Sequence, residues 1–518
     1  ASAAGVPIET FKNDEAMRKM IFALALAVSV WGCGSDDDAT YPPEPGGNET
    51  AATSLRLAST SVEFPAAGRT VEVAVTANGT WQVAEAPDWL SATAFNDCLT
   101  LQARDNRQGP LRSGAVRITG AEGVSASLDV TQGNGALVFR VEIEADGAAA
   151  SIPLYGQVDC TIDWGDGRTE AIAAEISGLS TGNPTHTYAK AGVYRVAVQG
   201  KVPALSALYL NDEMRPRLRA VEAWGMTGLE RMEHAFYDCP ALESIHSPVM
   251  EGSFERVTTF AKAFNGCDGL LQIPADLFVG CGAATDLSSC FNDCDGLRSV
   301  PEGLFDDCAN VSKLSSVFAY CRQLETVPGR LFAACPLVTD HSYVFNACEA
   351  LRTIPADLFE GCGATKSVAF AFSGCLALET IPAGLFDACP SIENFQSAFI
   401  DCAAIRSIPE GLFDKCPEAV KFNFTFADCT AIESVPVSLF DNCRKITACT
   451  QTFRLCSAWK GESPFTLVDG AKVHLYERSN HPDAFPAVPS STTSGTFRGC
   501  TLLDDYAVMQ ADYPKWVK

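Results

Sequence analysis

Cysteine is the residue type in this chain whose number and spacing could support chemistry. The sequence contains 22 cysteines, and seventeen of them recur in two columns. One column holds Cys239, Cys267, Cys294, Cys321, Cys348, Cys375, Cys402, Cys429, Cys456 and Cys500, and the other holds Cys281, Cys308, Cys335, Cys362, Cys389, Cys416 and Cys443. Such thiols could form disulfide bonds, bind zinc or take part in redox reactions. No CxxC pair is present, which argues against zinc and redox chemistry.

The regular spacing of these cysteines indicates packing rather than cross-linking. A residue that keeps one position in a repeat is buried in every copy, where Cys packs as a small apolar side chain. Neighbouring copies would bring equivalent thiols to within about 5 Å, a bridging distance. Their Cβ atoms would point the same way, however, which is poor disulfide geometry. We therefore expect free thiols, with stacked disulfide bonds as the alternative.

The other residue types that could support chemistry form no recognisable catalytic motif. The six histidines, His186, His234, His246, His341, His474 and His481, make no HExxH or other helical metal pair, and no GxSxG elbow, P-loop or dinucleotide fingerprint occurs. His341 stands in an otherwise apolar column, where we expect a satisfied or edge-exposed side chain rather than a ligand. Aspartates such as Asp306 and Asp387 recur with the repeat, whereas a catalytic pair would occur once. No enzymatic activity and no cofactor are expected.

The cysteine columns belong to a unit of 27 residues that is written seven times between Phe264 and Phe453. Each Phe is followed by Cys at +3, an apolar residue at +6, Ile or Val at +9, Pro at +10, Leu-Phe at +13 and +14, and a second Cys at +17. Strict self-similarity at this period predicts a solenoid. Apolar spacing of i, i+3, i+4 and i+7 predicts two short helical turns in each unit, one of them from Phe395 to Cys402.

These units resemble the BspA-type leucine-rich repeats of bacterial surface proteins through their F-x-x-C-x-x-L-x-x-I-P core. They differ from that family by a second Leu-Phe-x-x-Cys turn, which lengthens the unit. The resemblance implies an α/β leucine-rich-repeat solenoid over residues 203–456. We expect residues 457–518 to form an irregular C-terminal repeat and cap, because a terminal repeat must cover an apolar end.

Residues 55–133 change to period-two alternation, which predicts a small β-sandwich of immunoglobulin-like type. The segment resembles the BACON domain of Bacteroidetes surface proteins through Asn78-Gly79-Thr80-Trp81, Trp89-Leu90 and Val130-Thr131-Gln132-Gly133. Members of that family are often presumed to bind carbohydrate or mucin. The resemblance therefore makes Trp81 and Trp89 candidate glycan contacts, and the alternative is that both tryptophans fill the sandwich core.

Residues 136–202 predict a second β-sandwich. Trp164-Gly165-Asp166-Gly167 and the later His186-Thr187-Tyr188 resemble the PKD-type immunoglobulin-like domain with its WGDG hairpin. A calcium site at Asp163 and Asp166 is conceivable. We expect turn chemistry instead, because Asp-Gly is itself a hairpin turn signal.

The N-terminal segment predicts export and a lipid anchor. Residues 1–16 fit no targeting pattern and are left unassigned, while residues 17–33 combine a short basic start with an apolar run of secretory length. This stretch resembles a lipoprotein signal peptide in which Cys33 would be lipidated. The acidic start of the linker, residues 34–54, is similar to the signal that sends Bacteroidetes lipoproteins to the outer face of the outer membrane.

The bulk composition limits the possible partners. Lys+Arg 38 against Asp+Glu 63 give a net charge of −25, which argues against nucleic acid and against an anionic membrane face. Our leading hypothesis is an outer-membrane, surface-exposed lipoprotein that acts in adhesion, with the solenoid contacting a host or bacterial protein or a glycan. The alternative is a glycan-capture component of a polysaccharide-utilisation system that binds through the BACON-like or PKD-like domain.

Overall fold

The computed structural model describes residues 52–64, 68–106, 112–132, 135–178, 182–248, 253–486 and 492–518. The chain divides into two compact units between Gly135 and Ala136. The predicted leader, signal peptide, lipidated Cys33 and most of the linker lie outside the described residues. Those assignments stay predictions.

The first unit consists of short strands in two four-stranded sheets, ordered β1-β3-β6-β5 and β2-β8-β7-β4. The strands are β1 Leu55–Leu57, β2 Ser61–Phe64, β3 Thr70–Ala77, β4 Gln82–Glu85, β5 Leu90–Phe95, β6 Cys98–Ala103, β7 Arg112–Thr119 and β8 Ser125–Gln132. Strands β2 and β8 pair in parallel and the other neighbours are antiparallel. Alternate residues such as Val73, Leu99 and Val130 are buried in one core that both sheets share, as the period-two pattern requires.

The second unit begins with a larger sheet, ordered β12-β11-β14-β9-β16-β17, to which β15 adds by pairing with β11. A separate pair joins β10 to β13. The strands are β9 Leu137–Ile143, β10 Ala149–Ser151, β11 Leu154–Asp163, β12 Thr169–Ile176, β13 Thr185–Thr187, β14 Gly192–Lys201, β15 Ala204–Leu205, β16 Leu218–Ala223 and β17 Ser244–Ile245. Short 3-10 helices cover Ala207–Tyr209 and Arg215–Arg217.

The large sheet runs directly into the repeats. Strand β9 pairs with β14 on one side and with β16 on the other, and β16 then pairs in parallel with β17 at the edge of the first repeats. One continuous hydrophobic core extends from Leu137 to Val517. The backbone therefore passes the position of the predicted boundary at residue 202 without a break in pairing or core.

Each coil of the array, residues 253–500, is joined to the next coil by backbone hydrogen bonds. Around Phe399, alternate N–H groups donate to carbonyls of the following coil at 2.8 to 2.9 Å: Phe395 to Lys421, Ser397 to Asn423, Phe399 to Thr425 and Asp401 to Ala427. The intervening N–H groups donate within the coil to the residue three positions earlier. Each coil thus satisfies the polar backbone of its neighbour.

The structure corrects the prediction of two short helices in each coil. Described residues 253–456 form turns and isolated parallel bridges and contain no α-helix. The predicted helix from Phe395 to Cys402 cannot form because Ser397 and Asp401 have φ angles of 55° and 62°. The segment after each proline is likewise a turn. The helical half of the α/β prediction is therefore wrong for these repeats, since the N–H groups bond between coils.

Two columns of phenylalanine form the centre of the array. Rings from Phe236 to Phe497 stack nearly parallel, with centroids 5.3 to 5.9 Å apart. Rings from Phe278 to Phe440 form a second stack at 5.7 to 6.3 Å. Trp224 packs against Phe236 near the start, and Trp516 stacks on Phe497 at the end. Trp516 thus covers the C-terminal end of this stack, whereas at the other end Phe139 of the large sheet also packs against Phe236.

One exposed column carries alternating charge. It lies seven residues after each first-stack Phe from Phe291 to Phe453 and reads Arg298, Glu325, Arg352, Glu379, Arg406, Glu433 and Lys460. Ion pairs join Arg298 to Glu325 at 2.9 Å, Arg406 to Glu433 at 3.4 Å and Arg352 to Glu379 at 3.9 Å. Each exposed pair contributes little, about 0.2–1 kcal/mol. The alternating charges nevertheless favour the alignment of neighbouring coils in which each arginine or lysine lies beside a glutamate.

The regular repeat ends with an insertion and a cap. Phe497 follows Phe453 by 44 residues instead of 27. The intervening chain forms the hairpin β18 Phe465–Val468 and β19 Ala471–His474 and a 3-10 helix at Leu475–Asn480. Helix α1 Tyr506–Asp512 and a 3-10 turn at Pro514–Trp516 complete the chain. No helix of the described residues is long and apolar enough to cross a membrane.

A buried arginine, Arg478, makes the hydrogen bonds that the next regular coil would make if the insertion did not interrupt the repeat. In earlier coils the carbonyl of the second-stack Phe accepts a bond from the Cys thirty residues later, as Phe413 does from Cys443. No such Cys follows Phe440, and the Arg478 guanidinium donates to its carbonyl at 2.8 Å and to the Cys443 carbonyl at 3.0 Å. Arg478 also packs over the Phe485 ring at 4.4 Å.

We predict that Arg478→Met locally destabilises the last coils. The substitution leaves two buried carbonyls unsatisfied, each at a cost of about 1–3 kcal/mol. Hydrogen exchange read by mass spectrometry should show faster exchange for residues 436–480, with the coils around Phe291 unchanged. Arg444→Met is the matched control, because Arg444 is exposed. Equal exchange in the two variants would contradict the capping role.

Candidate binding surface

Two positions in every coil hold a backbone conformation that side chains seldom adopt. They lie two residues before and two residues after each first-stack Phe from Phe264 to Phe453. The outer row, which precedes the Phe, consists of Lys262, Ser289, Ser316, Tyr343, Phe370, Ser397, Phe424 and Gln451, with φ between 53° and 62°. The second row consists of Gly266, Asp293, Tyr320, Ala347, Gly374, Asp401, Asp428 and Leu455, with φ between 58° and 74°. Neither row contains Val, Ile or Thr, which tolerate positive φ least.

The outer row places aromatic rings at the surface. Tyr343 is 39% exposed and its ring stacks on Phe370 at 4.7 Å with a 4° interplanar angle. Phe424, half-buried, lies under the Arg454 guanidinium at 5.9 Å, and Tyr320 of the second row is 44% exposed. Aromatic side chains that are rigid and partly exposed are enriched at the energetic centres of protein interfaces. This face is therefore a candidate binding surface.

Carboxylates border the aromatic rings. Burial raises the pKa of Asp268, and the nearby Asp293 and Asp295 raise it further. The Arg322 guanidinium donates to Asp295 at 2.8 Å and to Asp293 at 3.2 Å. Within the described residues, no group of three His, Cys, Asp or Glu side chains is placed to hold a metal ion.

A second acidic pair lies further along the array. Burial raises the pKa of Asp401, and the neighbouring Asp428 adds to this effect. Asp428 itself forms an ion pair with Arg454. The described residues form no ion pair with the Asp401 carboxylate, which is exposed. The surface around Phe424 is thus aromatic and negatively charged.

The thiols of both cysteine columns are free and buried. In the first column, nine cysteines from Cys267 to Cys500 donate their thiol to the carbonyl of a Phe in the preceding coil at 3.0 to 3.3 Å. Burial raises the pKa of these thiols, to about 12 for Cys321 and Cys375. The thiolate is the reactive form, so these groups are inert at neutral pH. The expectation of packed thiols holds, with a hydrogen bond added.

His341 is a buried member of the core rather than an edge residue. Its side chain is completely buried between the rings of Phe332 and Phe359. The Nδ1 atom lies 3.1 Å from the Thr365 hydroxyl, so the ring is satisfied as expected. Thr365 also replaces an apolar residue of its own column. Burial lowers the pKa of His341 to about 4, which keeps the imidazole neutral.

One cluster near the C terminus unites a hydroxyl, an imidazole and carboxylates, as in a hydrolase triad. Ser463 Oγ lies 3.1 Å from His474 Nδ1, and His474 Nε2 lies 3.3 Å from a Glu462 oxygen. The Ser463 hydroxyl, however, donates to Asp505 and its residue has no solvent exposure. A nucleophile must lose its proton to the histidine and reach a substrate. The geometry therefore suits a structural network that joins β19 to α1.

The candidate glycan contacts Trp81 and Trp89 are both half-buried in the first unit. The Trp81 indole N–H donates to the Asn96 carbonyl at 2.8 Å. The Trp89 and Phe64 rings pack edge to face, with their centroids 6.2 Å apart. The Arg112 guanidinium lies over the Trp89 ring, 4.8 Å from its centroid. Both tryptophans pack against the core of that unit. Their role in glycan binding stays a prediction.

The aspartates of the WGDG hairpin make turn contacts. Asp163 accepts the Gly165 N–H at 2.9 Å, and Asp166 accepts the Arg168 N–H at 3.1 Å. Asp166 also contacts His186 Nε2 at 2.9 Å, which lowers the pKa of the Asp166 carboxyl. These are the turn interactions that the Asp-Gly sequence favours.

The outer row was missed by reasoning from sequence alone. Its residues share no chemical type, and one of them, Ser397, fell inside a predicted helix. One sequence feature could have revealed the row. Its position in the 27-residue repeat is occupied by Lys, Ser, Tyr, Phe and Gln in different copies, whereas a core position keeps the same residue type in every copy. Variation at a fixed position of a repeat indicates an outward-facing side chain.

Comparison with protein families identifies the repeats. Residues 231–362 and 343–455 match the model of the BspA type leucine rich repeat region, in six copies. The resemblance predicted from the spacing of Phe, Cys and Pro is therefore confirmed for this part of the chain. No curated protein matches the sequence.

We predict that His341 makes the array acid-sensitive. Its pKa of about 4 in the fold lies below the usual 6.5, so the unfolded chain binds a proton first as the pH falls. The free energy of unfolding is unaffected by this group above pH 6.5 and falls between pH 6.5 and 4, by about 3 kcal/mol at most. Urea unfolding at a series of pH values measures the loss.

The double variant His341→Leu/Thr365→Val is the comparison, because leucine and valine already occupy those two columns in other coils. It should be less sensitive to acid over the same range, whereas Thr365→Val alone should keep the sensitivity. A double variant with the wild-type pH profile would show that His341 is not the group responsible.

Proposed function

We propose that this protein is a cell-surface adhesion lipoprotein whose leucine-rich-repeat solenoid binds a host or bacterial protein. Repeats of the BspA type commonly mediate binding or adhesion at surfaces, and they cover residues 231–455. The two β-rich regions before them, residues 55–133 and 136–202, would serve as spacers of BACON-like and PKD-like type. The proposal rests on the array first, because that is where the family match lies.

The observation that carries the proposal is the outer row. The positions that hold coil to coil repeat the same residue types, whereas the outer row changes from coil to coil. Its centre has Tyr343, Phe370 and Phe424 at the surface. Tyr343 and Phe370 stack on each other at the surface, and exposed apolar patches of this kind on a folded protein often mark interaction sites.

Anchoring through Cys33 is the part of the proposal that concerns location. The motive is the signal-peptide pattern of residues 17–33 and the acidic run that follows. A lipidated Cys33 at the outer membrane would leave residues 55–518 outside the cell.

We predict that Cys33→Ala moves the protein out of the membrane fraction of the producing bacterium, because the acceptor thiol for the lipid is lost. Fractionation and immunoblotting measure this. Protease treatment of intact cells should remove the wild-type array while a periplasmic marker stays intact. Membrane retention of the Cys33→Ala protein, or protection of the array together with the marker, would contradict surface anchoring.

Glycan capture by the β-rich regions is the second candidate. The observation that favours it is Phe95, which is 67% exposed at the hairpin between β5 and β6. Trp81 bonds to the next residue of that hairpin, Asn96. A sugar ring could stack on the exposed Phe95 face. Under this hypothesis the array would be a scaffold.

We predict that the variant Tyr343→Ser/Phe370→Ser/Phe424→Ser loses ligand binding at least tenfold, since it removes the surface rings but no core contact of the Phe stacks. Surface plasmon resonance of the full chain against a fixed panel of extracellular-matrix proteins and purified glycans is the measurement. The matched control is Leu271→Ser/Leu337→Ser/Leu467→Ser, which removes three exposed apolar side chains elsewhere.

Binding to a protein that the control keeps and the outer-row variant loses supports adhesion through the array. Binding to glycans alone, unchanged in the outer-row variant and lost in Trp89→Ala with the fold intact, would overturn it in favour of glycan capture. Equal losses in the outer-row variant and in the leucine control would show that general surface hydrophobicity is responsible.

A further inference from the structure

The interruption of the repeat near the C terminus forms an open cleft. The 3-10 helix Leu475–Asn480 of the insertion and the 3-10 turn Pro514–Trp516 of the cap both contribute to its lining, and its volume is about 320 Å³. Sites for small ligands occupy roughly 300–1,000 Å³. Insertions into a repeat often lie on the face that binds a ligand. The cleft is therefore a candidate site outside the outer row.

Three aromatic residues that line the cleft, Tyr476, Tyr513 and Trp516, form an aromatic wall. The ring centroids of Tyr476 and Tyr513 lie 4.8 Å apart, and those of Tyr476 and Trp516 lie 6.5 Å apart. The Tyr476 hydroxyl donates to Asp505 at 3.1 Å, and the Trp516 ring stacks on Phe497. These contacts fix the rings before a ligand arrives, so stacking on them costs little conformational entropy.

Polar groups that line the cleft lack protein partners. Asp512 and Lys515 are exposed, and among the described residues neither side chain forms an ion pair or a hydrogen bond. The Trp516 indole N–H likewise donates to no acceptor in the part of the chain that the structure describes, although Trp516 is only 7% exposed. A buried tryptophan usually donates this N–H to a partner. Asp512 also ends helix α1, where the negative end of the helix disfavours a carboxylate, so its charge does not stabilise the fold.

The chemistry of the lining selects a class of ligand. One carboxylate and one ammonium group give the cleft no net charge, so it has little electrostatic preference for an ion. A purely apolar ligand would leave Asp512, Lys515 and the Trp516 indole N–H without hydrogen bonds, which is unfavourable. A sugar ring satisfies both parts of the cleft, because its C–H face is apolar and its hydroxyls both donate and accept hydrogen bonds.

We propose that this cleft binds one sugar ring of a neutral glycan. The C–H face of the sugar packs on the aromatic wall. Its hydroxyls donate to the Asp512 carboxylate and accept from the Lys515 ammonium and the Trp516 indole N–H. The inference goes beyond the proposed function, because the site shares no residue with the outer row and uses none of the β-rich regions at residues 55–202. The array then binds a protein along its side and a glycan at its end.

The test uses the full chain on a printed array of neutral hexose, N-acetylhexosamine and deoxyhexose glycans, each beside its sialylated or sulfated counterpart. The chain should bind at least one neutral glycan, and the added anionic groups should not improve binding. Isothermal titration calorimetry with the best-binding neutral glycan then measures the dissociation constant of each variant.

Asp512→Ala and Lys515→Ala should each weaken binding of that glycan about tenfold or more, the usual strength of a hydrogen bond to a charged group. Trp516→Phe keeps an aromatic ring but removes the indole N–H, and it should weaken binding about threefold or more. The matched control is Asp483→Ala/Lys460→Ala, which removes an exposed carboxylate and an exposed ammonium group that do not line the cleft. The control should leave the affinity unchanged, and thermal unfolding of each variant checks that the array is folded.

Absence of neutral-glycan binding, a preference for anionic glycans, or an equal loss in the control would overturn the proposal. Glycan binding that Trp89→Ala loses and Asp512→Ala keeps would also overturn it, because the glycan site would then lie in the first unit. A protein ligand lost in Asp512→Ala, with glycan binding unchanged, would assign the cleft to a peptide instead.

The result is separable from that of the adhesive function. The variant Tyr343→Ser/Phe370→Ser/Phe424→Ser should keep the glycan affinity and lose the protein ligand. If that variant kept its protein ligand, the adhesive function of the outer row would fail while the glycan site stood. If Asp512→Ala and Lys515→Ala kept full glycan affinity, the glycan site would fail while the adhesive function stood.

Discussion

The structure depends on the hydrogen bonds that alternate N–H groups of one coil donate to the carbonyls of the next. This ladder holds equivalent residues in register through the array, and it continues across the insertion, where the Phe453 N–H donates to the Thr496 carbonyl at 2.9 Å. It also draws the backbone into positive φ at two places in each coil, at a cost of about 1–3 kcal/mol each. The cost is offset by the hydrogen bonds that the ladder forms between neighbouring coils. The phenylalanine stacks and the surface rows follow from that register.

Polar groups enter the core where an adjacent element offers a partner. The thiols of the first cysteine column meet phenylalanine carbonyls of the preceding coil, which explains the choice of cysteine over alanine at a position of this size. His341 is paired with Thr365, and both break apolar columns at the same place. Arg478 donates hydrogen bonds to the Phe440 and Cys443 carbonyls, which have no regular coil after them to bond with. The polar groups that make these bonds avoid the desolvation penalty of an unmade bond, whereas the buried Arg478 Nε atom has no hydrogen-bond partner within the described residues.

Much of the array could be predicted from the sequence, because every copy of a column experiences the same environment and repetition makes that environment visible. Burial of Cys402 or Phe399 follows from the period alone. The local backbone could not be predicted: Phe395 and Cys402 have helical spacing, but bonds between coils overrule it. The binding surface was hidden for a related reason, since positive φ at Ser397 or Phe424 imposes no single residue type. The role of Arg478 was also hidden, because its partners lie 35 and 38 residues earlier, across an insertion that resets the period.

The alternating column from Arg298 to Lys460 bears on how the array can change in length over evolution. Loss or gain of one coil by recombination within the repeats would place two residues of like charge next to each other. Loss or gain of two coils would restore the alternation. Each mismatched contact costs only a fraction of a kcal/mol, yet the bias acts on every event. The column therefore makes a pair of repeats, rather than a single repeat, the favoured unit by which this gene lengthens or shortens.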